Sequence, residues 1–333
     1  MNSATSVSTA DEFISPDGKP PLKNGNASTD RIFAGVAVGS GLLIILLVVL
    51  IAIFLLFQAI PAIREDHANF FFSRDWNLDS TPIRFGILQM LWTTVASSLV
   101  ALVLAMPFAI AIALFLTQYS PKWLTSIAAT LVNLLAAVPS IIFGPWSLYI
   151  VAPKFEVVQN FIQDVFYWFP LFSKVNTVTG GTTILLVGII LAIMILPIIT
   201  ALTREIFAQT PMADREAALA LGATKWEMIR TAVIPFGKPG IISASMLGLG
   251  RALGETIAVL YILSALPNST TWTWSLFNGG ETFASRIAND AAELTPGVGT
   301  GAYIAAGLVL FILTFIVNAL ARVLIERRKA FSE

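Results

Sequence analysis

Long apolar blocks constrain what this chain can fold into more than any other feature of its sequence. Five blocks carry no charged residue, and a sixth carries one arginine and one glutamate. Each can hold the roughly 20 helical residues that cross about 30 Å of hydrocarbon. The sequence therefore predicts an all-α integral membrane protein with six transmembrane helices. We expect these spans at about 33–60, 87–118, 124–150, 180–203, 239–266 and 299–321.

The composition argues against most soluble and enzymatic classes. Only 12% of the residues are charged, against about 25% in soluble domains, and the mean hydropathy is +0.80. The chain has no cysteine and one histidine, which leaves no basis for a thiolate nucleophile, a histidine-rich metal site or a Ser/His/Asp triad. The pattern G-x-x-x-x-G-K-[ST] does not occur, so we expect no P-loop ATP hydrolysis by this chain. Its 20 basic and 20 acidic residues cancel, which argues against nucleic-acid binding.

The positions of the basic residues predict the orientation in the membrane. Six spans put both termini on one side, and thirteen of the twenty Lys and Arg residues fall on that side, against six on the other. By the positive-inside rule, both termini are cytoplasmic. Residues 1–31 are rich in Ser, Thr, Asn, Gly and Pro, so we expect a disordered tail there. The transmembrane domain then covers 32–328, with a short cytoplasmic tail at 329–333.

The third span contains helix-breaking residues at two places. Val138-Pro139-Ser140 and Gly144-Pro145-Trp146 bracket a short apolar stretch. Proline removes a backbone donor and disfavours helix at the residue before it. Two readings are open: an interrupted helix, which is tolerated where it faces protein or a water-filled cavity, or an ordinary pair of kinks. Pro107 and Pro197 predict kinks in the second and fourth spans.

The longest cytoplasmic loop, 204–238, predicts a helix–turn–helix at the membrane surface. Residues 214–223 combine strong helix formers with a stop at Gly222, after a start at Thr210-Pro211. A second helical stretch, 225–234, is expected to end at Pro235. The first helix is either an interfacial amphipathic helix without a partner or a knob that docks into a groove on another protein.

The same loop resembles the EAA motif, E-A-A-x3-G-x9-I-x-L-P, of bacterial ABC importer permeases. The matching residues are Glu216, Ala217, Ala218, Gly222 and Pro235, whereas alanine replaces the motif's isoleucine at 232 and isoleucine replaces its leucine at 234. The resemblance implies the type I importer permease fold. It also implies that this helix is the coupling helix, which inserts into a cleft of a separate ATPase subunit. ATP and Mg would then be bound by the partner ATPases, and no cofactor by this chain.

The fifth span carries Arg251 and Glu255 within an otherwise apolar stretch. A charge at the bilayer centre costs about 3 kcal/mol, so these residues need compensation. Their i,i+4 spacing would place them on one helical face, where they can pair, and Gly250 and Gly254 would let another helix approach. The pair is either a structural ion pair or a polar gate or anion station on a translocation path. Arginine suits an oxyanion, and Glu255 could accept a hydrogen bond from protonated phosphate.

This segment, Gly250-Arg251-Ala252-Leu253-Gly254-Glu255-Thr256, resembles the G-R-A-x-G-E-T signature of phosphate-specific ABC permeases, C-type. Residues 137–144 and 283–293 are similar to other segments of those permeases, and the resemblance runs from about 84 to 328. It implies phosphate uptake through the plasma (inner) membrane, with Gly250, Arg251, Gly254, Glu255 and Thr256 on the substrate path. The implied partners are a homologous A-type permease, two ATPases and an extracytoplasmic phosphate-binding protein.

Three rival functions are open from the residues. The first is a secondary transporter or channel with an ion-coupled gate at Arg251 and Glu255. The second is a membrane enzyme, although the sequence has no visible constellation of base and nucleophile. The third is an importer of the same class that carries another oxyanion, such as molybdate or sulfate.

Overall fold

The computed structural model describes residues 27–267, 270–291 and 298–329. Most of the tail predicted at 1–31, and residues 330–333 of the tail predicted at 329–333, lie outside the described residues. Two compact units divide the chain, one ending at Ile53 and the other beginning at Phe54. In the first unit, residues 31–53 form helix, most of it exposed apolar side chains. The second unit holds the rest of the fold.

The secondary structure is almost entirely helical, as predicted. One two-stranded antiparallel hairpin pairs β1, Trp76–Asn77, with β2, Arg84–Phe85. The α-helices in chain order are α1 Ala27–Glu65, α2 Leu88–Leu114, α3 Lys122–Ala136, α4 Ser140–Trp146, α5 Ala152–Phe166, α6 Ile184–Ala208, α7 Met212–Ala220, α8 Lys225–Met228, α9 Ile234–Leu253, α10 Ile257–Ile262, α11 Phe283–Asp290 and α12 Val298–Lys329.

Six helical stretches in the described part of the chain are long and apolar enough to cross a membrane, which confirms the predicted number. Their bounds are Arg31–Glu65, Leu88–Tyr119, Ser140–Phe166, Thr179–Ala208, Lys225–Leu253 and Gly299–Val323. Two of them, the third and the fifth, depart from the expected bounds.

The third span begins later than the predicted 124–150. Helix α3 has 15 residues, or about 22 Å, too little to cross the bilayer alone. The chain leaves the helix at 137–139 and re-enters it at Ser140, because Pro139 lacks a donor and disfavours helix at Val138. The second expected break, at Gly144-Pro145, is absent: helix continues to Phe166 through a π-turn at Ser147–Val151. The interrupted-helix reading therefore holds at one of the two places.

The fifth span corrects a second expectation. The helix that starts at Lys225 does not end at Pro235 but continues to Leu253. A π-turn, Ile229–Val233, directly precedes that proline, and its wider winding accommodates a ring that would clash with the carbonyl four residues before it. The helix instead stops at Gly254, and only the six-residue α10 follows within the expected 239–266.

Helix α6 forms the centre of the second unit. Of its apolar stretch 67% is buried, against at most 33% in the other five spans. Both of its ends are tied by hydrogen bonds. At the start, the amide of Ile184 donates to Asn278 O (3.1 Å) and that of Leu185 to Leu276 O (2.8 Å). At the end, Arg215 Nη2 donates to Phe207 O (2.7 Å), which satisfies one of the helix's terminal carbonyls.

Candidate functional site

The loop predicted to couple this chain to a partner contains helix α7, which ends in a left-handed turn. Gly222 has φ +84°, and its amide donates to Leu219 O at 3.0 Å. The next amide, of Ala223, donates to Ala218 O at 3.2 Å, so the turn satisfies two terminal carbonyls of α7. A Cβ added at Gly222 would meet no atom within 4 Å. The position therefore requires glycine for its backbone angle and not for space.

One side of α7 is anchored and the other is open. Ala218 packs on a buried cluster that includes Phe207, Met228 and Ile229. Glu216 and Ala217 of the EAA motif are exposed, and so is Pro235. Outside the span helices, α7 and its turn also expose large apolar side chains: Leu221 is 90% exposed and Met212 65%. A short helix that packs on the core by one side and exposes large apolar side chains on the other is typical of a surface that another protein covers.

Two anchors of the loop escaped the sequence reading. Arg215 donates to Phe207 O, as described above, and no sequence motif predicts that hydrogen bond. Thr224 and Glu227 form a capping box at the start of α8: Glu227 Oε2 accepts from Thr224 N at 2.8 Å, and Glu227 N donates to Thr224 Oγ1 at 3.3 Å. The Thr-x-x-Glu spacing is a recognisable signal that would have found this cap.

The charged pair of the fifth span is arranged differently from the expectation. The prediction that Arg251 and Glu255 share one helical face is wrong, because α9 ends at Leu253 and Gly254 turns the chain out of the helix. Glycines at 250 and 254 weaken the helix there. Glu255 lies two residues before α10: it is 8% exposed, and its Oε1 accepts from Ala258 N at 3.3 Å.

Arg251 is left without a partner. It lies in the last turn of α9, is exposed, and makes no hydrogen bond or ion pair with any residue that the structure describes. A cation is favourable at a helix C-terminus, which partly compensates its position. Thr256 follows five residues later, and its Oγ1 donates to Gly254 O at 3.3 Å. Because the intrachain pair is not formed, the structural ion-pair reading has no support within this subunit.

The expected close helix approach at Gly250 and Gly254 is also not made by any of the residues that the structure describes. A Cβ at Gly250 would meet nothing within 4 Å, and one at Gly254 only Gly250 O at 3.7 Å. The close approach occurs elsewhere, at Gly144, where a Cβ would lie 2.9 Å from Tyr261 Cδ2. That contact joins α4 to α10, the two short helices that begin after the breaks of the third and fifth spans. The glycine face around Arg251 is therefore open.

A cluster of charges beyond the spans was not among the predicted site residues. Arg286 on α11 contacts Glu281 at 2.6 Å and Asp290 at 2.8 Å. The hydroxyl of Tyr303 on α12 donates to Asp290 at 2.6 Å, and the Trp76 indole donates to that hydroxyl at 3.4 Å. Burial opposes the charge of Arg286, but its two carboxylate partners outweigh burial and raise its pKa. The cluster joins the hairpin, α11 and α12.

Comparison with known families defines the class of protein that has this fold. The model of the family described as "Binding-protein-dependent transport system inner membrane component" matches residues 105–330. This match covers more than half of the chain, which therefore belongs to that family. With its six apolar spans, the chain is a multi-pass protein of the inner membrane.

Relatives of known name narrow the class further. The chain is 51% identical over 295 residues to "Phosphate transport system permease protein PstC 2" of Mycobacterium tuberculosis, covering 88% of this chain and 90% of that protein. It is 53% identical over 273 residues to PstC of Mycobacterium leprae, covering 81% and 85%. The protein of the same name in Xylella fastidiosa (strain Temecula1) is 34% identical over 330 residues, covering 97% and 98%.

Solved structures share the fold at low sequence identity. A chain of the inward-facing MetNI methionine ABC transporter aligns with a TM-score of 0.54 and 15% identity, covering 72% of this chain and 95% of that one. A bacterial ABC transporter for the acidic polysaccharide alginate aligns with a TM-score of 0.51 and 17% identity, covering 72% and 79%. These similarities confirm the ABC importer permease fold.

Proposed function

We propose that this chain is the membrane-spanning permease subunit of an ATP-driven importer that moves inorganic phosphate into the cytoplasm by alternating access. The observation that carries the site assignment is the unpaired Arg251 at the break of the fifth span. The relatives named as phosphate transport permeases, at 51% and 53% identity, support the substrate class.

Arg251 supplies the attraction for the anion. An unpaired guanidinium at membrane depth is costly, so its retention calls for an anionic ligand or a partner chain. Its planar fork donates two parallel hydrogen bonds to an oxyanion. The open face at Gly250 and Gly254 leaves backbone approachable beside it. Phosphate needs to bind Arg251 only weakly, because tight binding at this point would slow its release into the cytoplasm.

Glu255 and Thr256 complete the proposed path. The buried carboxylate of Glu255 is fixed at the start of α10 by the Ala258 amide, which leaves its second oxygen available as an acceptor. A bare dianion would be repelled there. Phosphate keeps a proton near neutral pH and can donate a hydrogen bond to that oxygen, whereas sulfate carries none.

The knob of α7 is proposed as the contact with a partner ATPase, which binds ATP and Mg. Leu221 and Met212 expose apolar surface that the ATPase would cover, with Glu216, Ala217 and Ala218 on the helix and Gly222 and Pro235 shaping the loop. Under this proposal the loop and both termini face the cytoplasm. The assembly would contain a homologous A-type permease, two ATPases and an extracytoplasmic phosphate-binding protein.

The test is phosphate uptake by the assembled transporter in proteoliposomes, with wild type, Arg251→Gln and Arg251→Lys compared. We expect Arg251→Gln to abolish uptake while the complex still assembles, and Arg251→Lys to retain part of the activity. Lys154→Gln removes one charge from an exposed residue away from the path and serves as the matched control. Normal uptake by Arg251→Gln would refute the anion path.

The same preparation separates the rival functions. Uptake that persists without ATP would identify a secondary transporter or channel. ATP-dependent uptake of molybdate or sulfate in preference to phosphate would identify an importer of another oxyanion.

A further inference from the structure

A groove between α9 and α12 begins one helical turn from Arg251, because Leu247 lies four residues before it on α9. Its volume is 560 Å³, within the range of about 300–1,000 Å³ that small-molecule sites occupy. Its lining residues are Ser243, Met246, Leu247, Phe315, Asn318, Ala319, Ala321 and Arg322. Neither Arg251 nor any residue of α7 contributes to it.

The groove changes from polar to apolar along its length. The two helices run in opposite directions, so the early part of α9 lies level with the late part of α12. Ser243 therefore shares one end with Arg322 and Asn318, whereas Leu247 shares the other with Phe315. On α12, Phe315 lies roughly 10 Å deeper than Arg322. This order matches an amphiphile with its head at Arg322 and its chains at Phe315.

The polar end has unused hydrogen-bonding capacity. Asn318 and Arg322, four residues apart on one helical face, form no hydrogen bond or ion pair with the residues that the structure describes. The Ser243 hydroxyl donates to Pro239 O at 3.1 Å, so only its lone pairs remain free. The available groups are thus one cation and one amide, which suit an anionic acceptor. Arg322 is the last but one residue of the span Gly299–Val323, at the depth of lipid head groups.

The apolar end is shaped for acyl chains. Leu247 is 59% exposed and Phe315 66% exposed, so both are open to contact with an acyl chain. A basic residue above an apolar cleft between two spans is the arrangement that holds anionic lipids on the cytoplasmic side of membrane proteins.

We infer that this groove binds one anionic phospholipid, with its phosphate on Arg322 and Asn318 and an acyl chain between Leu247 and Phe315. The lipid belongs to the leaflet on the side of α7, which is the cytoplasmic leaflet in the proposed orientation. Such a lipid would hold α9 against α12 at the cytoplasmic end of the fifth span.

Native mass spectrometry of the assembled transporter tests this inference, with phosphatidylglycerol and phosphatidylcholine of identical acyl chains as probes. We expect the wild type to retain one phosphatidylglycerol in preference to phosphatidylcholine. Arg322→Gln should weaken phosphatidylglycerol binding roughly fivefold and leave phosphatidylcholine unchanged, whereas Arg322→Lys should retain most of the preference. The control Lys154→Gln should match the wild type, and Leu247→Trp, which fills the apolar end, should weaken both lipids.

Several outcomes would overturn the inference. Equal affinity of wild type and Arg322→Gln for phosphatidylglycerol would show that Arg322 does not bind the head group. Unchanged lipid binding by Leu247→Trp would show that no acyl chain lies in the apolar end. Displacement by millimolar inorganic phosphate would identify a free-anion site. Because the chain has no cysteine, Leu247→Cys supplies a single thiol. Its crosslinking to the second permease in membranes would show that protein fills the groove. If a variant does not assemble, the wild type alone still tests the inference, because a wild type without preference for phosphatidylglycerol over phosphatidylcholine would refute it.

Discussion

Gly222 offers the sharpest test of the coupling loop, because its role is conformational and not steric. With φ at +84°, any L-residue with a side chain is strained there, although a Cβ would meet no atom within 4 Å. The left-handed conformation costs ordinary residues about 1–2 kcal/mol. Replacement by alanine should therefore reduce the population of the native turn, relative to its alternatives, by a factor of about 5 to 30.

A graded series of substitutions at Gly222 separates backbone strain from side-chain bulk as the cause of a defect. Asparagine tolerates the left-handed conformation, so Gly222→Asn should stay close to wild type, Gly222→Ala should be impaired, and the β-branched Gly222→Val should be worst. The assay is the ratio of phosphate transported to ATP hydrolysed in proteoliposomes that contain the complete transporter. We expect this ratio to fall in the order Asn, Ala, Val, because a misplaced α7 transmits less of the ATPase movement.

Two results would refute the reasoning. If Gly222→Val couples normally, the turn has no part in coupling. If Gly222→Asn is as defective as Gly222→Val, side-chain bulk at the partner surface matters and the backbone angle does not.

Three further predictions concern the anchors and the orientation. Arg286→Gln leaves Glu281 and Asp290, 13% and 14% exposed, without their cation and should cost about 3–5 kcal/mol, seen as a lower melting temperature. Thr224→Ala should speed hydrogen exchange at the start of α8 roughly fivefold at pH 7. Unchanged exchange in Thr224→Ala would show that the capping box does not stabilise the start of α8. A reporter fused after Glu333 should read cytoplasmic, and an outside reading would reverse the proposed orientation.

The sequence was most informative where a single local rule decides the structure. Apolar blocks indicated the number of spans because a single block of about 20 residues satisfies its own backbone hydrogen bonds in lipid only as a helix. Gly222 was recognised as a stop because few residues adopt its backbone angle. Near Pro139 the chain leaves the helix after α3, which is one of the two readings that the sequence left open.

The failures occurred where a local rule competes with its surroundings. Pro235 was expected to end a helix, but the helix continues through it because a π-turn precedes it. The sequence pattern does not predict such a shift of the backbone hydrogen-bond register. The pairing of Arg251 with Glu255 assumed that the helix continues through Gly254. The helix stops there, and Glu255 instead accepts a hydrogen bond from the Ala258 amide in the first turn of α10. The contact from Arg215 to Phe207 joins two helices across a turn, so spacing alone does not specify it.

The two anchored ends of α6 have a mechanical consequence. This helix of 25 residues is about 37 Å long, and its first amides are bonded to the segment around Leu276 and Asn278. One of its last carbonyls, Phe207 O, accepts a hydrogen bond from Arg215, which belongs to α7. A displacement imposed on α7 would therefore act directly on one continuous, largely buried helix, whose other end is bonded to the segment around Leu276 and Asn278.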